Sequence, residues 1–76
     1  MQVDLEQHDA VKRQLRAKGV TFADISVEIG CRPSLVTMVS QGRRRSREIE
    51  NAIARRIGVS PEVLWPSRYK EEEEHR

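Results

Sequence analysis

The four glycines divide this chain more clearly than any other residue type does. Each glycine ends a short segment in which apolar residues recur three or four positions apart, which is the spacing of one face of a helix. No segment alternates apolar and polar residues for long, and no Asn-Gly or Asp-Gly pair marks a hairpin. The chain is therefore predicted to form a series of short helices without strands, with stops at Gly19, Gly30, Gly42 and Gly58.

Helix start signals stand ahead of these segments. Thr21 followed by Asp24 has the spacing of a capping box, and Pro33 occupies a first helical position, where its missing N–H costs nothing. Ser60-Pro61 repeats a start signal, and Pro66 is expected to stop the last helix. The predicted fold is a compact all-α domain of five helices. These helices are predicted at about 5–18, 22–29, 33–41, 47–57 and 61–65.

The apolar faces of these helices define the predicted core. Trp65 is the largest hydrophobe and is expected to close the core, while Arg68 and Tyr69 either pack across it or form part of a partner surface. From Tyr69 onward nothing is left to bury, so we predict a domain over 1–69 and an acidic, disordered tail over 70–76. The predicted core residues are Leu5, Ala10, Val11, Leu15, Phe22, Ile25, Ile29, Leu35, Val36, Val39, Ile49, Ala52, Ile53 and Ile57.

The size and residue types of the chain argue against several function classes. Its 76 residues make one domain, and the single Cys31 cannot form an intramolecular disulfide. Cys31, His8 and His75 lack the spacing of a zinc site, and no apolar run approaches the ~20 residues of a membrane span. No nucleophile–base set, catalytic carboxylate pair or glycine-rich phosphate loop occurs. We therefore expect no enzyme, no catalytic or metal site, no cofactor, no small-molecule substrate and no membrane partner.

The distribution of charge points to a polyanionic partner. The whole chain carries a net charge of +2, but the run Glu71–Glu74 supplies four of its twelve acidic residues, and residues 1–70 alone carry +5. A small basic domain has the usual electrostatic footprint of a nucleic-acid binder.

The two helices that meet at Gly30 have the form of a helix-turn-helix. Ser26 is small where the second helix must pass close to the third, and burial of the facing sides leaves the outer face of the third helix able to enter a major groove. That outer face contains no acidic residue. Three consecutive arginines follow it, where the chain would cross the phosphate backbone.

The candidate DNA-binding residues lie on the third helix, about 33–41, and in the loop after it. Arg32 and Ser34 lie at the end that normally faces base edges, where arginine can bind guanine and serine a phosphate. Thr37 and Gln41 are candidates for base or phosphate contacts, and Met38 either packs at the edge of the core or meets a base methyl group. The loop arginines are expected to contact phosphates. The predicted set is Arg32, Pro33, Ser34, Thr37, Met38, Gln41, Arg43, Arg44 and Arg45, with Arg13, Arg16 and Arg47 as secondary candidates.

The sequence also resembles a known family. Its helix-turn-helix pattern is similar to that of lambda-repressor-like domains. The stretch from Ala52 to Tyr69, which ends Trp-Pro-Ser-Arg-Tyr, resembles the Ner-like (Nlp-type) transcriptional regulators of Mu-like phages and their bacterial relatives. The triple arginine and the acidic tail depart from that pattern. The resemblance implies a small all-α DNA-binding protein that acts as a repressor or regulator of phage or prophage genes.

The leading functional hypothesis is therefore a sequence-specific regulator of transcription that binds double-stranded DNA. We expect it in the cytoplasm of a bacterial or phage-infected cell, associated with the nucleoid. Because one recognition helix reads only a few base pairs, we also expect a homodimer on a palindromic operator. The alternative is a small helical protein-interaction or antitoxin-like module whose basic face binds an acidic partner.

Overall fold

A computed structural model describes residues 3–69, and over that range the regular structure is helical throughout. The five named helices are α1 (Leu5–Ala17), α2 (Phe22–Ile29), α3 (Pro33–Gln41), α4 (Arg47–Ile57) and α5 (Pro61–Leu64). A sixth helical turn covers 66–69. The all-α class is confirmed, but the predicted count of five is one too low, and the predicted tail at 70–76 lies outside the described residues. None of these helices is long and apolar enough to cross a membrane.

The helix ends follow local signals in the sequence. Asp4 and Ser46 act as N-caps, because their side chains accept hydrogen bonds from N–H groups in the first turns of α1 and α4. Thr21 and Asp24 form both halves of the predicted capping box, with N···O distances of 2.9 and 3.1 Å. Gly30 ends α2 at φ +85°, a left-handed conformation that glycine adopts without the steric cost of a Cβ atom.

The core lies where the apolar faces of the helices meet. Leu5 was expected in it but is 52% exposed, because it lies off the face of α1 that carries Val11 and Leu15. His8 continues that face instead, three residues before Val11 and seven before Leu15. The buried apolar residues are Val11, Leu15, Ile25, Val36, Val39, Ile49, Ala52, Ile53, Ala54, Ile57, Leu64, Trp65 and Tyr69, with Val20, Phe22, Ile29, Cys31 and Leu35 partly buried against them.

The end of the described chain closes the core more tightly than expected. Trp65 is buried, as predicted, but Pro66 opens the last helical turn as well as stopping α5, since proline suits a first helical position. Tyr69 is only 8% exposed, so the prediction that nothing remains to bury from this residue onward is wrong. The guanidinium carbon of Arg68 lies 4.7 Å from the Trp65 ring centroid, so Arg68 packs across the indole. Its neighbour Tyr69 turns towards α4.

Candidate nucleic-acid interface

Helices α2 and α3 form the helix-turn-helix predicted around Gly30. Ile25 and Val36 are completely buried on the facing sides of the two helices. Ser26 is also buried, and its hydroxyl donates to the carbonyl of Ala23 at 2.7 Å, so its polar group is satisfied within α2. The backbone N–H of Cys31 donates to the Ser26 carbonyl at 3.0 Å and tightens the turn. The polar side of α3 is thereby left at the surface.

The surface of α3 carries the residues predicted to read DNA. Arg32, the N-cap of the helix, and its neighbours Pro33 and Ser34 are exposed, while Thr37 and Met38 are half-buried. No Asp or Glu lies between Arg32 and Arg47, so α3 and its following loop place no carboxylate of their own against a phosphate.

Two polar side chains on this surface already have hydrogen bonds within the protein. The Thr37 hydroxyl donates to the Pro33 carbonyl at 3.2 Å, one turn back in α3, and keeps its acceptor lone pairs. The Gln41 Oε1 atom accepts from Nε of Arg43 at 2.9 Å. A contact between Gln41 and adenine through Oε1 would have to share or replace that bond, so Gln41 also orients Arg43.

The three arginines after α3 lie in different environments. Arg43 and Arg44 are exposed, and their backbone N–H groups donate to the Met38 carbonyl at 2.9 and 3.4 Å, which folds the loop back over the last turn of α3. Arg45 turns inward, and its Nε and Nη2 atoms donate to the Glu50 carboxylate at 3.0 and 3.5 Å. Its side chain is nevertheless 30% exposed. Of the three arginines in the predicted cluster, Arg43 and Arg44 therefore lie at the surface, whereas Arg45 is hydrogen-bonded to Glu50 within the protein.

Glu50 is a residue that the sequence analysis missed. It is fully buried in the first turn of α4, where Tyr69 donates its hydroxyl at 2.6 Å and Arg68 donates Nη1 at 3.4 Å. Burial, together with the hydrogen bond to Glu50 and its charge, raises the pKa of Tyr69, so the phenol stays protonated and remains a donor. A detectable signal existed, because Glu50 lies three residues before Ile53 and seven before Ile57, on the apolar face of α4.

His8 and Ser40 form a second buried polar contact that the sequence analysis missed. His8 Nδ1 lies 2.9 Å from Ser40 Oγ, and both residues are buried. The imidazole also lies against Phe22, with ring centroids 5.6 Å apart. Burial lowers the pKa of His8, and the nearby charge of Lys12 lowers it further, which favours the neutral ring. The contact joins α1 to the last turn of α3.

Two more hydrogen bonds hold the C-terminal end of α3. The carbonyl of Ser40 accepts from Nη2 of Arg68 at 3.1 Å, and the carbonyl of Gln41 accepts from the backbone N–H of Asp4 at 3.0 Å. The end of α3 is therefore bonded both to the start of the chain and to the helical turn at 66–69.

The secondary candidates lie outside α3. Arg13 and Arg16 are exposed on α1. Arg47 is exposed at the start of α4, with its guanidinium carbon 5.7 Å from the Tyr69 ring centroid. A further arginine of α4, Arg56, pairs with Glu28 at 2.8 Å and joins α4 to α2.

A family model described as winged helix-turn-helix DNA-binding matches residues 4–76. The chain belongs to this family. No curated protein and no solved structure matches it. As a member, the chain is a helix-turn-helix DNA-binding domain whose partner is double-stranded DNA. Within residues 3–69 no strand is present, so the loop after α3 leads into α4 and not into a β-wing.

Proposed function

We propose that this DNA-binding domain is a sequence-specific regulator of transcription that inserts α3 into the major groove. The main support for this proposal is the surface of α3, which contains no acidic residue. Arg32 and Ser34 are exposed at one end of this surface, and the loop arginines follow at the other end. A helix in this position normally presents its N-terminal residues to base edges, while basic residues beside it bind phosphates.

The proposed roles divide the surface into reading and gripping residues. Arg32 can donate two hydrogen bonds to O6 and N7 of guanine, and the methyl of Thr37 can contact a thymine methyl group. Arg43 and Arg44 contact phosphates, which carry no direct base identity. Ser34, with Pro33 and Met38, completes the surface that lies against the groove.

We further propose a repressor of the Ner-like type, acting on phage or prophage genes. The support is the resemblance of the stretch 52–69, whose last residues are those that close the core and bond to Glu50. A single α3 spans only a few base pairs. The proposal therefore includes two copies on a palindromic site with half-sites about one helical turn apart, acting in the cytoplasm of a bacterial or phage-infected cell.

Selection of bound duplexes from a random DNA pool tests this function. We expect one enriched palindromic motif for the full chain, and loss of enrichment at defined positions for Arg32→Ala. Arg55→Ala is the matched control, because this arginine is exposed on α4, pairs with Glu28 of α2 and is not among the candidate DNA-binding residues. Binding without an enriched motif would contradict sequence-specific regulation. Failure to bind any duplex would favour the protein-interaction alternative.

A further inference from the structure

The buried carboxylate of Glu50 calls for an explanation beyond stability. Removing a charged group from water is energetically unfavourable, and buried ion pairs can often be replaced by apolar residues without loss of stability. Glu50 nevertheless receives donors from two separate parts of the chain, the loop after α3 and the turn at 66–69. These donors belong to segments that border the proposed DNA surface.

We propose that Glu50 is a positioning residue for DNA binding. It orients Arg45 in the loop after α3 and, through Arg68, holds the C-terminal end of α3. Glu50 itself does not touch DNA. The proposal rests on the proposed function, because the surface that it positions is the one assigned to DNA.

The guanidinium of Arg45 is oriented by two hydrogen bonds to Glu50. Its Nε and Nη2 atoms both face the Glu50 carboxylate, at 3.0 and 3.5 Å, and a two-point contact fixes the plane of the group as well as its position. Because Glu50 is fully buried and Arg45 is 30% exposed, the pair runs from the core to the surface of the loop. Arg45 can therefore meet a phosphate in an orientation set beforehand, which reduces the ordering entropy that binding costs.

Arg68 extends the same arrangement to α3. Its Nη1 atom donates to Glu50 at 3.4 Å, and its Nη2 atom donates to the carbonyl of Ser40 at 3.1 Å. One planar group thus spans from the first turn of α4 to the last turn of α3. The Tyr69 hydroxyl completes the set of donors around the carboxylate at 2.6 Å.

The positioning role and net charge predict opposite changes in DNA affinity when Glu50 loses its charge. Without the carboxylate, the guanidinium groups of Arg45 and Arg68 would converge on one site as like charges, and the loop would shift to separate them. General electrostatics predicts tighter DNA binding when a DNA-binding domain loses an acidic residue. The positioning role predicts weaker binding for the same change.

The direction of the change in DNA affinity is tested with the variant Glu50→Gln. The variant Glu48→Gln is its control. Both variants remove one negative charge from the first turn of α4, but Glu48 is exposed. The probe is a fluorescent duplex carrying the selected motif, titrated at several salt concentrations at a temperature where circular dichroism shows folded protein. We expect Glu50→Gln to raise Kd about tenfold and to make the log–log salt slope shallower by about 0.9, the value for one phosphate contact. Glu48→Gln should bind as tightly as the unchanged chain or more tightly.

The variant Arg68→Lys keeps the positive charge. It tests the positioning role if Glu50→Gln does not fold. A lysine cannot bridge Glu50 and the Ser40 carbonyl with one planar group, so we expect a Kd raised about threefold, a smaller effect than the tenfold for a lost two-point contact. The exposed Arg55 provides the matched control, Arg55→Lys, which should leave Kd unchanged. In the DNA-free protein, NMR should show a slowly exchanging Nε–H signal for Arg45 that Glu50→Gln removes.

The outcomes separate the two proposals. If the unchanged chain binds no duplex, the proposed function fails, and the positioning role fails with it. If the unchanged chain binds the motif but folded Glu50→Gln binds equally well or better with the same salt slope, only the positioning role is overturned. Unchanged Kd in Arg68→Lys, or rapid exchange of the Arg45 Nε–H in the unchanged chain, would also overturn it.

Discussion

At its N-terminal end α3 presents Arg32 and Ser34 to solvent, whereas at its C-terminal end Ser40 is completely buried and hydrogen-bonded to His8 and Arg68. The first end has side chains whose partners would lie outside the protein. The second has partners from α1 and from the last helical turn. Substitutions at the exposed end should therefore cost little stability and, under the proposed function, change the base sequence that the helix recognises. Substitutions among the partners of the anchored end should lower stability first.

The largest expected difference between the two ends is in the free energy of unfolding. Trp65 is 3% exposed and lies beneath Arg68, on the anchored side, so Trp65→Ala should cost about 3–5 kcal/mol. Ser34→Ala, at the exposed end, should change stability by less than about 0.5 kcal/mol. Urea denaturation followed by circular dichroism measures both. A loss below about 1 kcal/mol for Trp65→Ala would place the indole outside the core.

Tyr69→Phe tests the anchored side through a single oxygen atom. The variant removes the 2.6 Å hydrogen bond to a buried carboxylate and keeps the ring, so we expect a loss of about 1.5–3 kcal/mol. The pKa of folded Tyr69 is raised above its ordinary value of 10.0, while the unfolded tyrosine ionises near that value. Unfolding is therefore favoured increasingly as pH rises above about 10. Tyr69→Phe should lack this part of the pH dependence, and a pH dependence equal in both proteins would contradict the burial of the phenol.

DNA binding tests whether the exposed end reads sequence and the loop grips phosphate. Replacing Arg43 and Arg44 by alanine should weaken binding to operator and scrambled duplexes alike and make the salt slope shallower. Replacing Arg32 should instead reduce discrimination between the two duplexes by about 1–3 kcal/mol, with Thr37→Ala at the low end of that range. Affinities for both duplexes at several salt concentrations measure this. If the Arg43 and Arg44 variant lost only its preference for the operator while the Arg32 variant bound both duplexes more weakly, the assigned roles of base recognition and phosphate contact would have to be exchanged.

The smallest expected effect concerns the pH dependence of the contact between α1 and α3. Burial lowers the pKa of His8 below its ordinary value of 6.5, so the folded state binds protons less readily than the unfolded state. The contribution to stability is therefore fully present above about pH 6.5 and is lost as pH falls through the lowered pKa. Thermal unfolding from pH 7.5 to pH 5 should show a decline that His8→Gln reduces. A decline of equal size in the variant would assign it to other groups.

The residues that contact DNA in this proposal could be predicted from the sequence because they are marked by local features. The proline at Pro33 and the stop at Gly42 define α3 within a few residues, as the capping box at Thr21 defines the start of α2. The apolar spacing shows which side of each helix is buried. The position of the basic loop next to α3 follows directly from the order of the chain. The individual roles on this surface stay predictions until DNA binding is measured.

The starts and stops of α1 to α5 and most of the core could be predicted from the sequence, because these features depend on neighbours within one or two helical turns. Tertiary structure alone decided the separate environment of Arg45, the burial of Tyr69 and the hydrogen bonds of Glu50. The partner atoms of Tyr69 and Arg68 lie 18 to 28 residues away along the chain, where no periodicity or capping pattern reaches. Whether a buried carboxylate is tolerated depends on which donors the folded chain brings to it, because only those donors offset the cost of removing its charge from water.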